Sequence, residues 1–178
     1  MPQYTLGIFE QIGHGRGFDE VATVTPPAAN TDFTYTVDGR YWERPVSLAF
    51  ELTTDSNAAN RSVSVTIADG SGLVIAKYVS ATVQTASLTW TYFLSPDIST
   101  FNAVNNTVVT MPFWHGFLRP TWTVKIATGS KQAGDLLSGI AFDRARFDTG
   151  PGGYLQGEVE EVTSERFIAW LRAQLIAS

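Results

Sequence analysis

The chain has 178 residues, of which 44% are hydrophobic and 12% aromatic, so it has enough apolar material for one packed core and is not a disordered chain. Its net charge of −5 argues against nucleic acid as a partner, and the absence of cysteine excludes disulfides, thiolate metal sites and thiol nucleophiles. No apolar run approaches the roughly 18 residues of a membrane span and no signal-peptide pattern is evident, so we expect no membrane partner.

Residues 1–30 have the composition of an extended arm. Glycine occurs at positions 7, 13, 15 and 17, and Pro26 and Pro27 lie near the end of the stretch. Glycine and proline interrupt regular structure, and chain ends rich in them rarely belong to a core. Two short runs in the arm, residues 4–9 and 21–24, are candidate strands.

Residues 31–150 are predicted to form the folded domain, because apolar and polar side chains alternate there in short runs. The runs are residues 33–37, 46–52, 62–67, 73–76, 88–94, 108–111, 122–126 and 140–147. Turn-forming residues lie at 38–39 and 69–72. This pattern predicts a mainly β fold, an antiparallel β-sandwich or jelly roll of seven to nine strands.

Two details of the sandwich follow from the alternation. In the run 46–52, we expect Val46, Leu48, Phe50 and Leu52 to form one buried face, because side chains two residues apart share a face of a strand. We also expect the runs 46–52 and 62–67 to be neighbouring antiparallel strands, joined by a loop rich in side chains that bond to their own backbone.

Residues 151–178 are predicted to form a hinge and a C-terminal amphipathic helix. Thr163 is a suitable N-cap residue, and helix-forming residues follow it. Phe167, Leu171 and Leu175 form the apolar seam of the helix, and Ile168 and Trp170 widen the apolar face on either side. Since an amphipathic helix gains stability through tertiary contact, it either docks on its own sandwich or packs against another subunit.

Residues that could carry chemistry are few. The histidines, His14 and His115, lie in different segments, so neither a catalytic relay nor a multi-histidine metal site is expected. Residues 13–17 are glycine-rich, but no helix is predicted after them, so we interpret them as part of the arm. The carboxylates around Arg144 and Arg146, and those at 158–161, lack calcium-loop spacing and are interpreted as solvated charges. We therefore predict no enzymatic activity, no metal and no cofactor.

The tryptophans suggest where a partner binds. Trp90 and Trp122 are in phase with apolar neighbours on their strands and are predicted to lie in the core. Trp42 and Trp114 lie in less regular segments and are candidates for a surface contact. Aromatic rings on a β-sandwich also stack on sugars, so a carbohydrate-binding or receptor-binding module is the alternative function.

Three segments carry a resemblance to a known class of protein. They are residues 52–63 (LTTDSNAANRSV), residues 68–70 (ADG) and residues 83–92 (VQTASLTWTY), and the resemblance covers about a third of the chain. This pattern is similar to that of small virion-associated β-sandwich proteins of tailed phages. The resemblance implies an assembly role on the capsid or neck, and a location in the virion after synthesis in the cytoplasm of the bacterial host.

Together these observations predict a non-enzymatic structural virion protein, a capsid decoration (cement) or neck and collar protein. The expected partners are other copies of the chain, as a dimer or trimer, and virion proteins such as the major capsid or neck protein. The residues predicted to contact partners are Phe167, Trp170, Leu171, Leu175, Trp114 and Trp42.

Overall fold

A computed structural model describes residues 18–99, 102–105 and 107–148. These residues contain strands and loops but no helix. The strands are β1 (Phe18–Thr23), β2 (Phe33–Thr36), β3 (Tyr41–Thr53), β4 (Ser62–Ala68), β5 (Val74–Val79), β6 (Thr89–Ser95), β7 (Asn102–Asn105), β8 (Val108–Pro112), β9 (Thr123–Gly129) and β10 (Leu136–Asp148).

The strands form two sheets. The larger sheet has the order β1-β10-β3-β6-β8-β7, and the smaller has the order β2-β9-β4-β5. The prediction of a mainly β, sandwich-like fold is confirmed at this level, while its finer jelly-roll form stays a prediction. The predicted helix from Thr163 lies outside the described residues, as do residues 1–17 of the predicted arm. Residues 18–23 of that arm form β1, which pairs with β10.

The core forms where the alternating apolar faces of the two sheets meet. In β4, Val63, Val65 and Ile67 are fully buried, and the Ser and Thr residues between them lie on the outer face. In the larger sheet, the rings of Phe50 and Tyr92 stack with centroids 5.2 Å apart. Burying one such large side chain contributes about 1.5–3 kcal/mol to stability, so the alternating pattern largely determines which faces pack.

Strands β3 and β4 are not neighbours, so the prediction that residues 46–52 and 62–67 pair is wrong. Strand β3 lies between β10 and β6 in the larger sheet, whereas β4 lies between β9 and β5 in the smaller one. Residues 54–61 cross from one sheet to the other. Alternation shows that a strand has one buried face, but it is the same in either sheet and does not identify the neighbour.

The crossing segment is held by Arg61, whose side chain is fully buried. Its guanidinium donates hydrogen bonds to both carboxylate oxygens of Asp135, at 3.0 and 2.9 Å. It also donates to the carboxylate of Asp55 and to the carbonyl oxygens of Asn57 and Ala59, at 2.8 and 2.9 Å. Every N–H of the guanidinium therefore has an acceptor, which is the condition for burying a charge. Burial alone would raise the pKa of Asp135, but the hydrogen bond from Arg61 holds it below its ordinary value.

A bulge in β3 moves Val46 out of the face predicted for it. Asp143 pairs with Ser47 and Arg144 pairs with Pro45, so Val46 is the extra residue between them. Val46 is 40% exposed, whereas the three residues predicted to share its face, Leu48, Phe50 and Leu52, are buried. The bulge changes the phase of alternation, so the buried residues of β3 on its other side are Pro45 and Glu43.

One strand pair departs from the predicted antiparallel arrangement. Strand β8 runs parallel to β6, from the pair Thr91 and Val108 to the pair Ser95 and Pro112. Strand β7, which precedes β8 in sequence, pairs with its other side. The chain thus leaves β6, forms the outermost strand first, and returns to fill the place between. Parallel neighbours need a long connection, and residues 96–107 provide it.

Candidate functional site

An exposed surface forms on the outer face of the larger sheet at the start of β3. Here the loop after β8 pairs with β3 through Glu43 and Leu118, whose backbone groups exchange two hydrogen bonds of 2.9 and 2.7 Å. Both side chains are fully buried. Since alternate side chains point to opposite faces, the residues on either side of this pair point outward. They are Trp42 and Arg44 on β3, and Phe117 and Arg119 on the loop.

Strand β10 completes this surface from the other side. Phe147 pairs with Trp42 across the strands, and its ring meets that of Phe117 edge-on at 5.3 Å. Phe117 also meets the Trp42 ring edge-on at 6.2 Å, and the guanidinium carbon of Arg119 lies 5.4 Å from the centre of that ring. We call the set Trp42, Arg44, Phe117, Arg119 and Phe147 the aromatic–arginine patch.

Two features of the loop between β8 and β9 place Phe117 and Arg119. The Trp114 indole N–H donates to the carbonyl oxygen of Phe117 at 3.4 Å, and its ring lies so close to Gly116 that an added Cβ would come within 2.8 Å. The loop then ends in a turn closed by a hydrogen bond from Trp122 to Arg119. In this turn Thr121 has a φ of 69°, a conformation unusual for a β-branched residue.

A buried ionic network lies directly under the patch, on the inner face of the same strands. The carboxylate of Glu43 is fully buried and lies 3.1 Å from Nε of Arg144 and 2.8 Å from Nε of Arg146. Tyr35, from the smaller sheet, donates its hydroxyl to the same carboxylate at 2.7 Å. Glu20 of β1 forms an ion pair of 2.7 Å with Arg146. The network joins four strands of both sheets and holds the backbone that carries the patch.

The network perturbs the ionisation of its members. Burial, and then the hydrogen bond to Glu43, raise the pKa of Tyr35 to about 12. Burial alone would lower the pKa of Arg146, but hydrogen bonds to Tyr35 and Glu43 raise it above its ordinary value. The two carboxylates and two guanidiniums of the network balance one another, so it adds no net charge beneath the patch. Arg144 itself, whose neighbouring carboxylates were interpreted as solvated, is only 2% exposed.

The patch itself is positively charged. Arg44 and Arg119 are exposed, and neither forms an ion pair with any residue of the described ranges. Arg119 is also oriented by a second ring, because its guanidinium carbon lies 5.7 Å from the centre of the Trp122 ring. A guanidinium held between two indoles loses little freedom when it binds a carboxylate.

A second exposed surface lies at the free edge of the smaller sheet. Strand β5 pairs with β4 on one side and has no strand on its other side within the described part of the chain. Five of the ten exposed large apolar side chains in the described residues lie here, within residues 73–83. They are Leu73, Val74, Ile75, Val79 and Val83. Lys77 is the only charged residue in β5. We call this surface the β5 edge.

The structure brings together two of the six residues predicted to bind partners. Trp42 belongs to the patch, and Trp114 supports it from the adjoining loop while packing partly against the core. Phe167, Trp170, Leu171 and Leu175 lie outside the described residues. Trp90 and Trp122 are half-buried against the core. Sequence analysis did not identify Arg119 and Phe147 as part of a site, because they reach Trp42 only through pairing between distant segments.

The described residues offer few features that would bind a metal ion or another small ligand. They contain no group of three or more His, Asp or Glu side chains placed to hold a metal ion. A shallow hollow of about 370 Å³ lies beside Ala58, Ala59, Asn60, Thr85 and Ala86, with no ionisable side chain in its wall. Within the same described ranges, no helix is long and apolar enough to cross a membrane.

Comparison with known proteins gives little. No protein-family model and no curated protein matches the sequence. The structure of PfGH50B is similar with a TM-score of 0.33 and 14% identity, over 77% of this chain and 23% of that one. The structure of infectious bursal disease virus, Gt strain, is similar with a TM-score of 0.25 and 11% identity, over 73% of this chain and 30% of that one. The chain thus spans less than a third of either structure, and TM-scores this low carry no argument about function.

Proposed function

We propose that this protein is a non-enzymatic structural component of a tailed-phage particle, a capsid decoration or neck protein that binds neighbouring subunits. The observation that carries the proposal is the β5 edge. An edge strand presents a row of backbone N–H and C=O groups that another strand can pair with. Exposed apolar side chains in the same strand add apolar surface that a partner would bury, which favours binding.

The chemistry of the β5 edge suits a protein partner better than a small ligand. Main-chain pairing extends over the length of a strand, so it needs an extended polypeptide. The exposed side chains Ile75 and Val79 lie on the outer face of the sheet, because Ala76 and Tyr78 between them pack towards the core. A partner strand would therefore continue the sheet and cover apolar surface at the same time.

Charge added at the β5 edge tests this proposal. The variants Ile75→Lys and Val79→Lys place cations beside the pairing groups, a device that natural edge strands use against association. We expect light scattering on the full-length chain to show a dimer or trimer, and the double variant to be monomeric. The matched control is the double variant Thr34→Lys and Thr36→Lys, which adds the same two charges at exposed positions of β2, at the opposite edge of the sheet. A monomeric wild-type chain at micromolar concentration, or an equal effect of the control, counts against self-association through β5.

The virion assignment has a separate test. Quantitative mass spectrometry of purified particles of the phage that encodes the chain should find it in a fixed ratio to the major capsid protein. If the chain is absent from particles, the assignment is wrong even where the β5 edge binds a partner.

Carbohydrate binding remains the second candidate, and the patch is the place to test it. A sugar platform needs ring faces that lie side by side and open to solvent. In the patch, Phe117 meets Trp42 edge-on at 71° and Arg119 lies over the Trp42 ring. This arrangement favours contacts with charged and apolar protein groups over stacking of a pyranose. A glycan array on the wild-type chain and on Trp42→Ala decides it, since binding that depends on Trp42 would favour the sugar module.

A further inference from the structure

The patch presents positive charge and apolar surface side by side. One segment of this chain has the complementary combination of negative charge and apolar side chains. The guanidinium of Arg119 lies over the Trp42 ring, and Arg44 is two residues from Trp42 on the same face of β3. Neither arginine forms an ion pair within the described residues, and Phe117 is 38% exposed. Residues 158–165 read Glu-Val-Glu-Glu-Val-Thr-Ser-Glu, with four carboxylates, two valines and no cation. We infer that residues 158–165 dock on the aromatic–arginine patch of the same molecule.

The path of the chain supports this occupant. Strand β10 ends at Asp148, directly after Phe147 of the patch, so the following residues leave from the edge of the docking surface. Strand β3 lies between β10, which carries Phe147, and the loop that carries Arg119. The two residues are therefore two strand spacings apart, which is about 10 Å. Nine residues lie between positions 148 and 158, and the ten Cα–Cα steps span up to about 35 Å when extended. The acidic segment therefore reaches both guanidiniums, and Gly150, Gly152 and Gly153 permit the chain to turn back.

The covalent connection favours the same molecule over a neighbour. A tethered segment that can reach its site acts at an effective concentration in the millimolar range, far above that of a second copy at micromolar protein. Each exposed ion pair contributes only about 0–1 kcal/mol, so contact of Val159 and Val162 with the rings of Trp42 and Phe117 has to add apolar burial. The inference does not depend on the proposed virion function, because it concerns a different surface from the β5 edge.

Carbodiimide coupling of the full-length protein tests this inference, because it joins a carboxylate to an amine in direct contact. The variant Arg119→Lys keeps the positive charge and supplies the amine, and Arg44→Lys does so at the other end of the patch. Peptide mass spectrometry should find amide bonds from position 119 to Glu158, Glu160 or Glu161. The internal control is Lys77, an exposed amine on the β5 edge, to which coupling should be roughly tenfold weaker.

Two further measurements make the result decisive. Replacing Glu158, Glu160 and Glu161 by Gln should abolish the coupling at position 119 while leaving the circular dichroism of the fold unchanged. A mixture of ¹⁴N-labelled and ¹⁵N-labelled chains separates contacts within one molecule from contacts between molecules. Equal coupling at position 119 and at Lys77 would overturn the inference. Products that mix the two isotopes would also overturn it, since they assign the segment to a neighbouring copy.

Discussion

Replacing Glu43 by Gln tests whether the buried ionic network holds the two sheets together. Glutamine keeps the shape of the side chain but removes the charge and replaces one acceptor oxygen by an amide that only donates. The guanidiniums of Arg144 and Arg146, 3.1 and 2.8 Å from the carboxylate, then lose their buried counter-charge. Removing one partner of a buried ion pair costs about 3–5 kcal/mol, against a total stability of about 5–15 kcal/mol for a domain.

Urea denaturation at pH 7, followed by tryptophan fluorescence, measures this loss as a lower midpoint at an unchanged slope. The matched control is Glu51→Gln, which removes an exposed carboxylate from the same strand and should cost less than about 1 kcal/mol. Replacing Glu43, Arg144 and Arg146 together by Met, with Glu20→Gln and Tyr35→Phe, should recover much of the loss, because no unpaired charge or hydroxyl of the network remains. If Glu43→Gln costs no more than Glu51→Gln, the reasoning is refuted.

Three other outcomes follow from the structure. The raised pKa of Tyr35 favours the folded state fully below pH 10, and this contribution is lost as pH rises from 10 to about 12. In an absorbance titration at 295 nm, Tyr35→Phe should lack one of the tyrosines that ionise at high pH in the wild-type chain. The lowered pKa of Asp135 stabilises the fold above its ordinary value near pH 3.8, so acid unfolding of Asp135→Asn should begin from lower stability and show a shallower pH slope. Thr121→Gly should raise the melting temperature, because relief of about 1–3 kcal/mol of backbone strain exceeds the flexibility that glycine adds; a lower melting temperature would contradict this.

The strands could be predicted from sequence more reliably than their partners. Period-two alternation identified β4 and β6, and the turn at residues 69–72 correctly joins β4 to β5. The same alternation could not show that β3 and β4 lie in different sheets. It also could not show the parallel pairing of β8 with β6, since pairing depends on contacts between segments far apart in the chain.

The candidate site could be predicted only in part, for the same reason. Trp42 and Trp114 were predicted as surface contacts because their segments lack regular alternation, and the structure places Trp42 in the patch and Trp114 in the adjoining loop. Glu43 gave no signal, because charged side chains are usually exposed and its burial depends on Arg144 and Arg146, about a hundred residues later. The sequence of β5 is an ordinary apolar run, and sequence alone does not show that β4 is its only neighbour among the described strands.

The position of β10 between β1 and β3 has a consequence for synthesis. Strand β3 cannot complete its place in the larger sheet until residues 136–148 have left the ribosome. At about 5–20 residues per second, roughly a hundred residues separate the two strands by about 5–20 s of translation. Throughout that interval the nascent chain exposes the hydrogen-bonding edge of β3 and the buried carboxylate of Glu43 to water. The protein is therefore expected to fold late, and a chain stalled before β10 should be a substrate for chaperones and proteases.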